Sequence, residues 1–325
     1  MSPEHLAVIM FIGVLIAVMV GIPLYLALGG LGLLFGIIGG WSPMVYDQFI
    51  SRIYGVVASD VLAAVPLFVF MGSLLSKSGS AERLFNASYY LLGGLRGGLA
   101  LVTVGLCTLF AATAGVVGAT ETAVGIMALP AMLRRKYNIP LACGTICAGG
   151  TLGILIPPSV MLLLYGPTAG LSVAKLFIGA IGPGLLLSGL YILYVIVICL
   201  IKPDYGPPMP KEERNIPLSK VIYELAINMV PPLFLIFAVL GTILIGIASP
   251  TEAAAMGAFG AVLVAIAYKN FNMAVLYDSA MQTLRISTMV LFVTVGAMMF
   301  TGVFMALGGA RYIGSLVVSL PIGKW

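Results

Sequence analysis

The sequence predicts an all-α, polytopic membrane protein that contains a re-entrant helical hairpin and a broken helix. Three observations carry this reading. The composition is 61% hydrophobic and 8% charged, with a mean hydropathy of +1.15, where an ordinary soluble domain has about 25% charged residues. Two basic ends, Arg96 and Arg134-Arg135-Lys136, bracket an apolar stretch too long for one helix and slightly short for two full spans with a turn. An apolar run from Leu141 to Tyr165 is interrupted by Gly149, Gly150, Gly153 and the adjacent prolines Pro157 and Pro158. Proline lacks the backbone donor and pushes the residue before it out of the α region, so the helix must break there.

At roughly 20 apolar residues per spanning helix, the chain has room for about eight to ten membrane segments once loops are subtracted. The formal charge of +5 and the pI near 9.0 raise the question of nucleic acid. The basic residues sit at segment ends and form no stripe, however, which reads as cytoplasmic loop bias, and no nucleic-acid partner is expected. Cys107, Cys143, Cys147 and Cys199 lie in apolar surroundings, and the only histidine is His5. A metal site would have to draw its remaining ligands from elsewhere, so the thiols read as structural. With no His-Glu-x-x-His and no Gly-x-Ser-x-Gly, neither an enzyme nor a resident cofactor is expected. Met1 to His5 carries Glu4 and no Lys or Arg, so the first apolar stretch reads as retained rather than as a cleaved signal peptide.

In chain order, Leu6 to Gly39 as one helix would be ~51 Å long, beyond a ~30 Å hydrocarbon core. Gly21-Ile22-Pro23 divides it into two helices or one strongly kinked helix, the second piece carrying Gly29, Gly30, Gly32 and Gly36 for close packing. Trp41 to Asp60 mixes Asp47, Gln48, Arg52 and Asp60 with Phe49, Ile53, Tyr54 and Val57, as an interfacial segment does. A span from Val61 to Leu75 follows, then an amphipathic piece from Ser80 through Leu92.

The hairpin, residues 95–133, comes next. Two half-helices meeting at the small-residue tip Thr113 to Thr120 return both basic ends to one face. A pair of short, buried core helices would show much the same composition. The broken helix, residues 141–165, follows. In hydrocarbon an unpaired carbonyl costs several kcal/mol, so a break survives where protein buries it or where it lines a cavity for an ion or polar ligand. The alternative is a kinked helix without ligand.

Beyond it lie a span from Val173 to Ile201 and a proline-containing polar loop, Lys202 to Lys220, that reads as an extramembrane linker. A span from Val221 to Ile247 leads to Ser249-Pro250-Thr251-Glu252, a capping box with Pro250 in the first helical position of a helix reaching about Tyr268. An amphipathic piece, Phe271 to Arg285, and a span from Ser287 to Leu307 complete the series. Aligning Pro23 with Pro250 also brings Ala27 onto Ala254 and Gly30 onto Gly257, and Gly79-Ser80-Ala81 falls on Gly308-Gly309-Ala310 at nearly the same offset. The chain thus divides into a first repeat, 1–220, and the start of a second, 221–325. A second hairpin would begin near residue 324, so it and a second broken helix are expected to be missing from this chain.

Glu121 lies just beyond the tip, where an ionisable group is a functional candidate by default; its other role would be to cap the second half-helix. For Glu252 the box pattern favours capping, and Arg134, Arg135 and Lys136 read most simply as topology determinants.

The segments Gly115-Val116-Val117-Gly118-Ala119-Thr120, Ala128-Leu129-Pro130-Ala131-Met132-Leu133-Arg134-Arg135 and Gly144 through Ser159 resemble the large membrane subunit of tripartite ATP-independent periplasmic (TRAP) transporters. Pro250-Thr251-Glu252-Ala253-Ala254-Ala255 fits the same family. Its members are longer than this chain, which agrees with the missing half-repeat. The resemblance implies an elevator-type secondary transporter of inverted repeats in the bacterial inner membrane, importing organic acids on a sodium gradient. Its expected partners are a small membrane subunit and a periplasmic substrate-binding protein. It implies a sodium site between the tip (Thr113, Gly115, Thr120) and carbonyls of Gly153, Ile156 and Pro158. Glu121, Gly150, Thr151, Pro157 and Ser159 are the candidates for substrate binding or ion coupling. Many members carry Ser-Gly-Ser-Ser where this chain has Ala114-Gly115-Val116-Val117, so those hydroxyl ligands are absent here. The competing readings are a stand-alone ion-coupled carrier or channel, and a non-transporting membrane scaffold.

Overall fold

The computed structural model describes residues 3–40, 42–210 and 217–319, and the described residues are helical throughout their regular structure. Trp41 at the start of the interfacial segment, the middle of the linker and the point where a second hairpin would begin lie outside the described residues. Among the described residues, four helices are long and apolar enough to cross a membrane: Val173–Ile201, Ser219–Ile245, Pro250–Ala267 and Met273–Ala306. Six shorter apolar helices of 10–17 residues accompany them. The apolar faces turned outward, with Phe234 at 69% and Leu186 at 67% exposure, suit hydrocarbon rather than water.

The chain packs as two compact units. The first combines residues 1–59 with residues 285–325. It holds α1 (Pro3–Met19), α2 (Leu24–Ile38), α3 (Ser42–Val57), the second half of α13 (Met273–Ala306) and α14 (Gly309–Ser319). The division between α1 and α2 falls at Gly21-Ile22-Pro23, as the sequence predicts. α2 pairs with α13 through glycine: a Cβ at Gly32 would lie 3.3 Å from the Phe300 backbone nitrogen, and one at Gly29 would touch the Met299 sulfur. Met10, Phe35, Phe49, Val303 and Leu307 form the core.

The second unit, Asp60–Leu284, holds α4 (Ala64–Lys77), α5 (Ser80–Leu92), α6 (Gly98–Ala114), α7 (Val117–Arg134), α8 (Ile139–Thr151), α9 (Val160–Ala169), α10 (Val173–Ile201), α11 (Leu218–Ile245), α12 (Pro250–Ala267) and the first part of α13. α4 pairs with α12 and α5 with α11. Three long-range hydrogen bonds fasten this arrangement: Thr251 Oγ1 to Asp60 O (2.7 Å), Asn270 Nδ2 to Ser78 O (2.9 Å) and Ser73 Oγ to Gln282 Oε1 (2.9 Å). The capping box forms as read. Ser249 Oγ accepts from Glu252 N at 3.3 Å, and Glu252 Oε2 accepts from Ser249 N at 2.7 Å.

One boundary differs from the sequence reading. Phe271 to Arg285 and Ser287 to Leu307 are not two elements, because α13 runs unbroken from Met273 to Ala306. Nothing between Asp278 and Val295 is glycine or proline, so the change from amphipathic to apolar character alters what the helix faces without ending it.

Candidate functional site

The hairpin is α6 and α7, joined at Gly115-Val116. Gly115 has φ +62°, a left-handed conformation that a side chain would resist. Its N–H donates to Ala111 O at 3.2 Å and closes α6. At the other end the phenol of Tyr137 accepts from Leu99 N at 3.2 Å, so an aromatic side chain satisfies an orphan donor at the start of α6. The arms hold 17 and 18 residues, or ~26 and ~27 Å at 1.5 Å per residue. Each is longer than the half-span that the sequence suggested.

α8 starts under a side-chain cap, Asn138 Oδ1 accepting from Leu141 N at 3.1 Å, with Pro140 in its first turn. It tightens through one 3-10 turn, Leu152–Ile154, and leaves helical geometry before α9 begins at Val160. The prolines decide which carbonyls are released. In a continuing helix Gly153 O would accept from residue 157 and Ile154 O from residue 158, and neither proline has an N–H. Ser159 Oγ takes Ile154 O at 2.7 Å. Gly153 O has no donor among the described residues.

The hairpin tip is seated on this break. Val160 N donates to Gly115 O at 3.3 Å. A Cβ at Gly115 would lie 2.8 Å from Pro158 O, and one at Gly153 would lie 3.3 Å from both the carbonyl carbon and the oxygen of Val116. One turn earlier, the Glu121 side chain fills the space that a Cβ at Gly150 would need, and Cys107 does the same at Gly149. The paired glycines of α8 are therefore notches that receive side chains from α7 and α6.

Of the residues predicted for the site, Gly115, Gly150, Gly153, Pro158 and Glu121 come together at this junction. Pro157 and Ser159 shape the break beside them. Thr113 and Thr120 are buried at the tip, but their hydroxyls donate back to Phe110 O (3.0 Å) and Val116 O (3.3 Å) within the hairpin. The Ile156 side chain packs into a core with Ala111, Ala112 and Leu152. Thr151 faces away from the tip, its hydroxyl donating to Ala148 O at 2.6 Å and lying 3.4 Å from the Tyr191 hydroxyl. Glu121 is half-buried and does not cap α7, whose N-cap residue Val116 provides no side-chain bond. The sequence reading missed Val116 and Val160, which act through backbone atoms and leave no signature in side-chain chemistry. It also missed Tyr137 and Cys107, for which a 3.6-residue pattern shows only apolar faces.

A hairpin tip docked on a proline-broken helix, among apolar helices long enough to cross a membrane, marks a helical membrane protein. Residues 7–325 match the family described as Tripartite ATP-independent periplasmic transporter, DctM component, and the chain belongs to that family, a family of multi-pass transporter permeases and not of enzymes. It is 32% identical over 286 residues to the C4-dicarboxylate TRAP transporter large permease protein DctM of Pseudomonas aeruginosa, covering 88% of this chain and 65% of the relative. It is 30% identical over 301 residues to the ectoine/5-hydroxyectoine TRAP transporter large permease protein UehC of Ruegeria pomeroyi, covering 90% and 67%. With the isethionate TRAP transporter permease protein DctMQ of Oleidesulfovibrio alaskensis it shares 32% identity over 274 residues, covering 84% and 42%. The chain thus spans about two thirds or less of the length of these relatives.

Proposed function

We propose that this chain is the large permease subunit of a binding-protein-dependent secondary transporter that imports organic acids across the bacterial inner membrane on a sodium gradient. The observation that carries this reading is the carbonyl of Gly153, left without a donor by Pro157, in a residue packed against Val116 of the hairpin tip. Sodium takes oxygen ligands, and unwound helix carbonyls supply them without a fixed charge. The Gly115, Ile156 and Pro158 backbone and the half-buried Glu121 carboxylate complete the candidate ion site. Thr113 and Thr120 retain acceptor lone pairs beside it. Thr151 serves as a substrate candidate at the outer side of the break. Relatives named for C4-dicarboxylate, ectoine and isethionate transport support an organic acid as cargo. The name DctMQ supports a small membrane subunit as partner, with a periplasmic substrate-binding protein as the third component.

Repeats spanning 1–220 and 221–325 fit the packing within each unit. Gly29 of α2 meets Met299 of α13, and Gly257 of α12 meets Met71 of α4; the alignment that sets Gly30 on Gly257 sets Met71 within a residue of Met299. Left-handed glycines recur at Gly79 and Gly308. In vesicles carrying the complete transporter, uptake of a C4-dicarboxylate should follow an inward sodium gradient. The combined substitution Gly153→Leu and Pro157→Ala should abolish it while leaving membrane insertion intact. Normal uptake by that variant would remove Gly153 from the ion site.

A further inference from the structure

A pocket of about 470 Å³ opens between α6, α8 and α10, on the side of α8 away from the hairpin junction, and lies within the ~300–1,000 Å³ range of ligand sites. Its walls are apolar: Val104 from α6, Leu141, Gly144 and Ala148 from α8, and Tyr191 and Ile198 from α10. Thr145, Tyr191 and Tyr194 add hydroxyls along these walls, and a further polar group stands at one end. Asn138 and Tyr205 line that end and are joined by a bond from Asn138 N to Tyr205 O at 3.0 Å. Lys202 Nζ donates to the Tyr205 hydroxyl at 3.3 Å and sits 5.0 Å from its ring centre. Arg134 and Lys136, both exposed, stand just before Asn138 in the chain, and Asp204 is the acidic residue of the short turn, Pro203–Tyr205, that carries Tyr205.

We propose that this pocket binds one acyl chain of an anionic phospholipid, whose phosphate rests on the Lys202, Tyr205 and Asn138 rim. Length supports this occupant. The wall from Asn138 to Ala148 rises ~15 Å along α8, which is the acyl depth of one leaflet of a ~30 Å hydrocarbon core. The cations lie at the end where a headgroup would be, as basic pockets between membrane helices do for anionic lipids. Tyr205 at the rim places a polar tip at the interface and a ring in the apolar layer. The pocket meets the candidate junction only at Tyr191, whose hydroxyl lies 3.4 Å from that of Thr151, and none of Gly115, Gly153, Pro158 or Glu121 lines it.

The test is co-purification and relipidation. The full chain in mild detergent, stripped and then titrated with mixed micelles of phosphatidylglycerol or phosphatidylcholine, is read by native mass spectrometry. One phosphatidylglycerol per chain should survive at detergent concentrations that remove phosphatidylcholine. A Cβ at Gly144 meets nothing within 4 Å, so Gly144→Leu fills the pocket without a backbone clash and should cut retention by about tenfold. Lys202→Gln should weaken the phosphatidylglycerol preference by about fivefold, matching ~1 kcal/mol per cation near an anionic surface. Unchanged retention by Gly144→Leu, in protein with a wild-type elution profile and melting temperature, overturns the site. Equal retention of the two lipids overturns the anionic headgroup. Should Gly144→Leu fail to fold, a diazirine-bearing phosphatidylglycerol replaces it: labels on Leu141, Ala148 or Tyr191 support the site, and labels elsewhere or a crosslinked polypeptide there overturn it.

Discussion

Tyr137 holds the open end of the hairpin with one phenol. Burial is the main reason its pKa is pushed up to about 12, against the opposing pull of the bond from Leu99 N. The folded protein therefore keeps this proton after an unfolded chain, with a phenol pKa of ~10, has begun to lose it. The stability it gives is full below pH ~10 and disappears as pH climbs toward 12. Melting of the detergent-solubilised protein should be flat through neutral pH and fall in the alkaline range, with part of that fall absent in Tyr137→Phe. The same variant leaves Leu99 N unpaired and should cost ~1–3 kcal/mol at neutral pH; an unchanged melting temperature would show that the bond contributes nothing. Gly150 allows a sharper test. Alanine in place of glycine inside a helix normally stabilises by about 1 kcal/mol, yet Gly150→Ala should destabilise because its Cβ overlaps Glu121. In a Glu121→Ala background the sign should reverse, which paired melting curves would detect.

At the scale of elements, what the sequence disclosed depended on how locally each feature is encoded. Pro157 and Pro158 specify the break, whereas Gly153 entered the candidate site through the family resemblance and the Ile154 carbonyl, taken by Ser159 Oγ, did not enter it. Ser249 and Glu252 encode a helix start within four residues. The hydroxyls of Thr113 and Thr120 were not legible, because in apolar surroundings such groups return to carbonyls of their own helix, and spacing alone does not say which way they turn. The unity of α13 was hidden for a different reason: hydropathy changes along it while helix propensity does not. The repeat supplies an element-level prediction. Gly257→Leu should separate α12 from α4, where even a Cβ would lie 2.6 Å from the Met71 sulfur. The loss should be ~1–3 kcal/mol, as for an overpacked core, and Met71→Ala should recover much of it in a melting assay.

For the whole molecule, the two compact units do not follow the order of the chain, since the first is built from both its ends. Contacts inside the hairpin join neighbours; those between α4 and α12 do not. Asp60 and Thr251 are 191 residues apart, and a ribosome adding ~5–20 residues per second needs about 10–40 s to cover that interval. Throughout it α4 lacks the helix against which its glycine-facing side is shaped, while the Leu99 to Tyr137 bond already has both its ends. The hairpin and the α8 notches that receive it therefore come from one continuous stretch of chain, whereas α4 has to await α12.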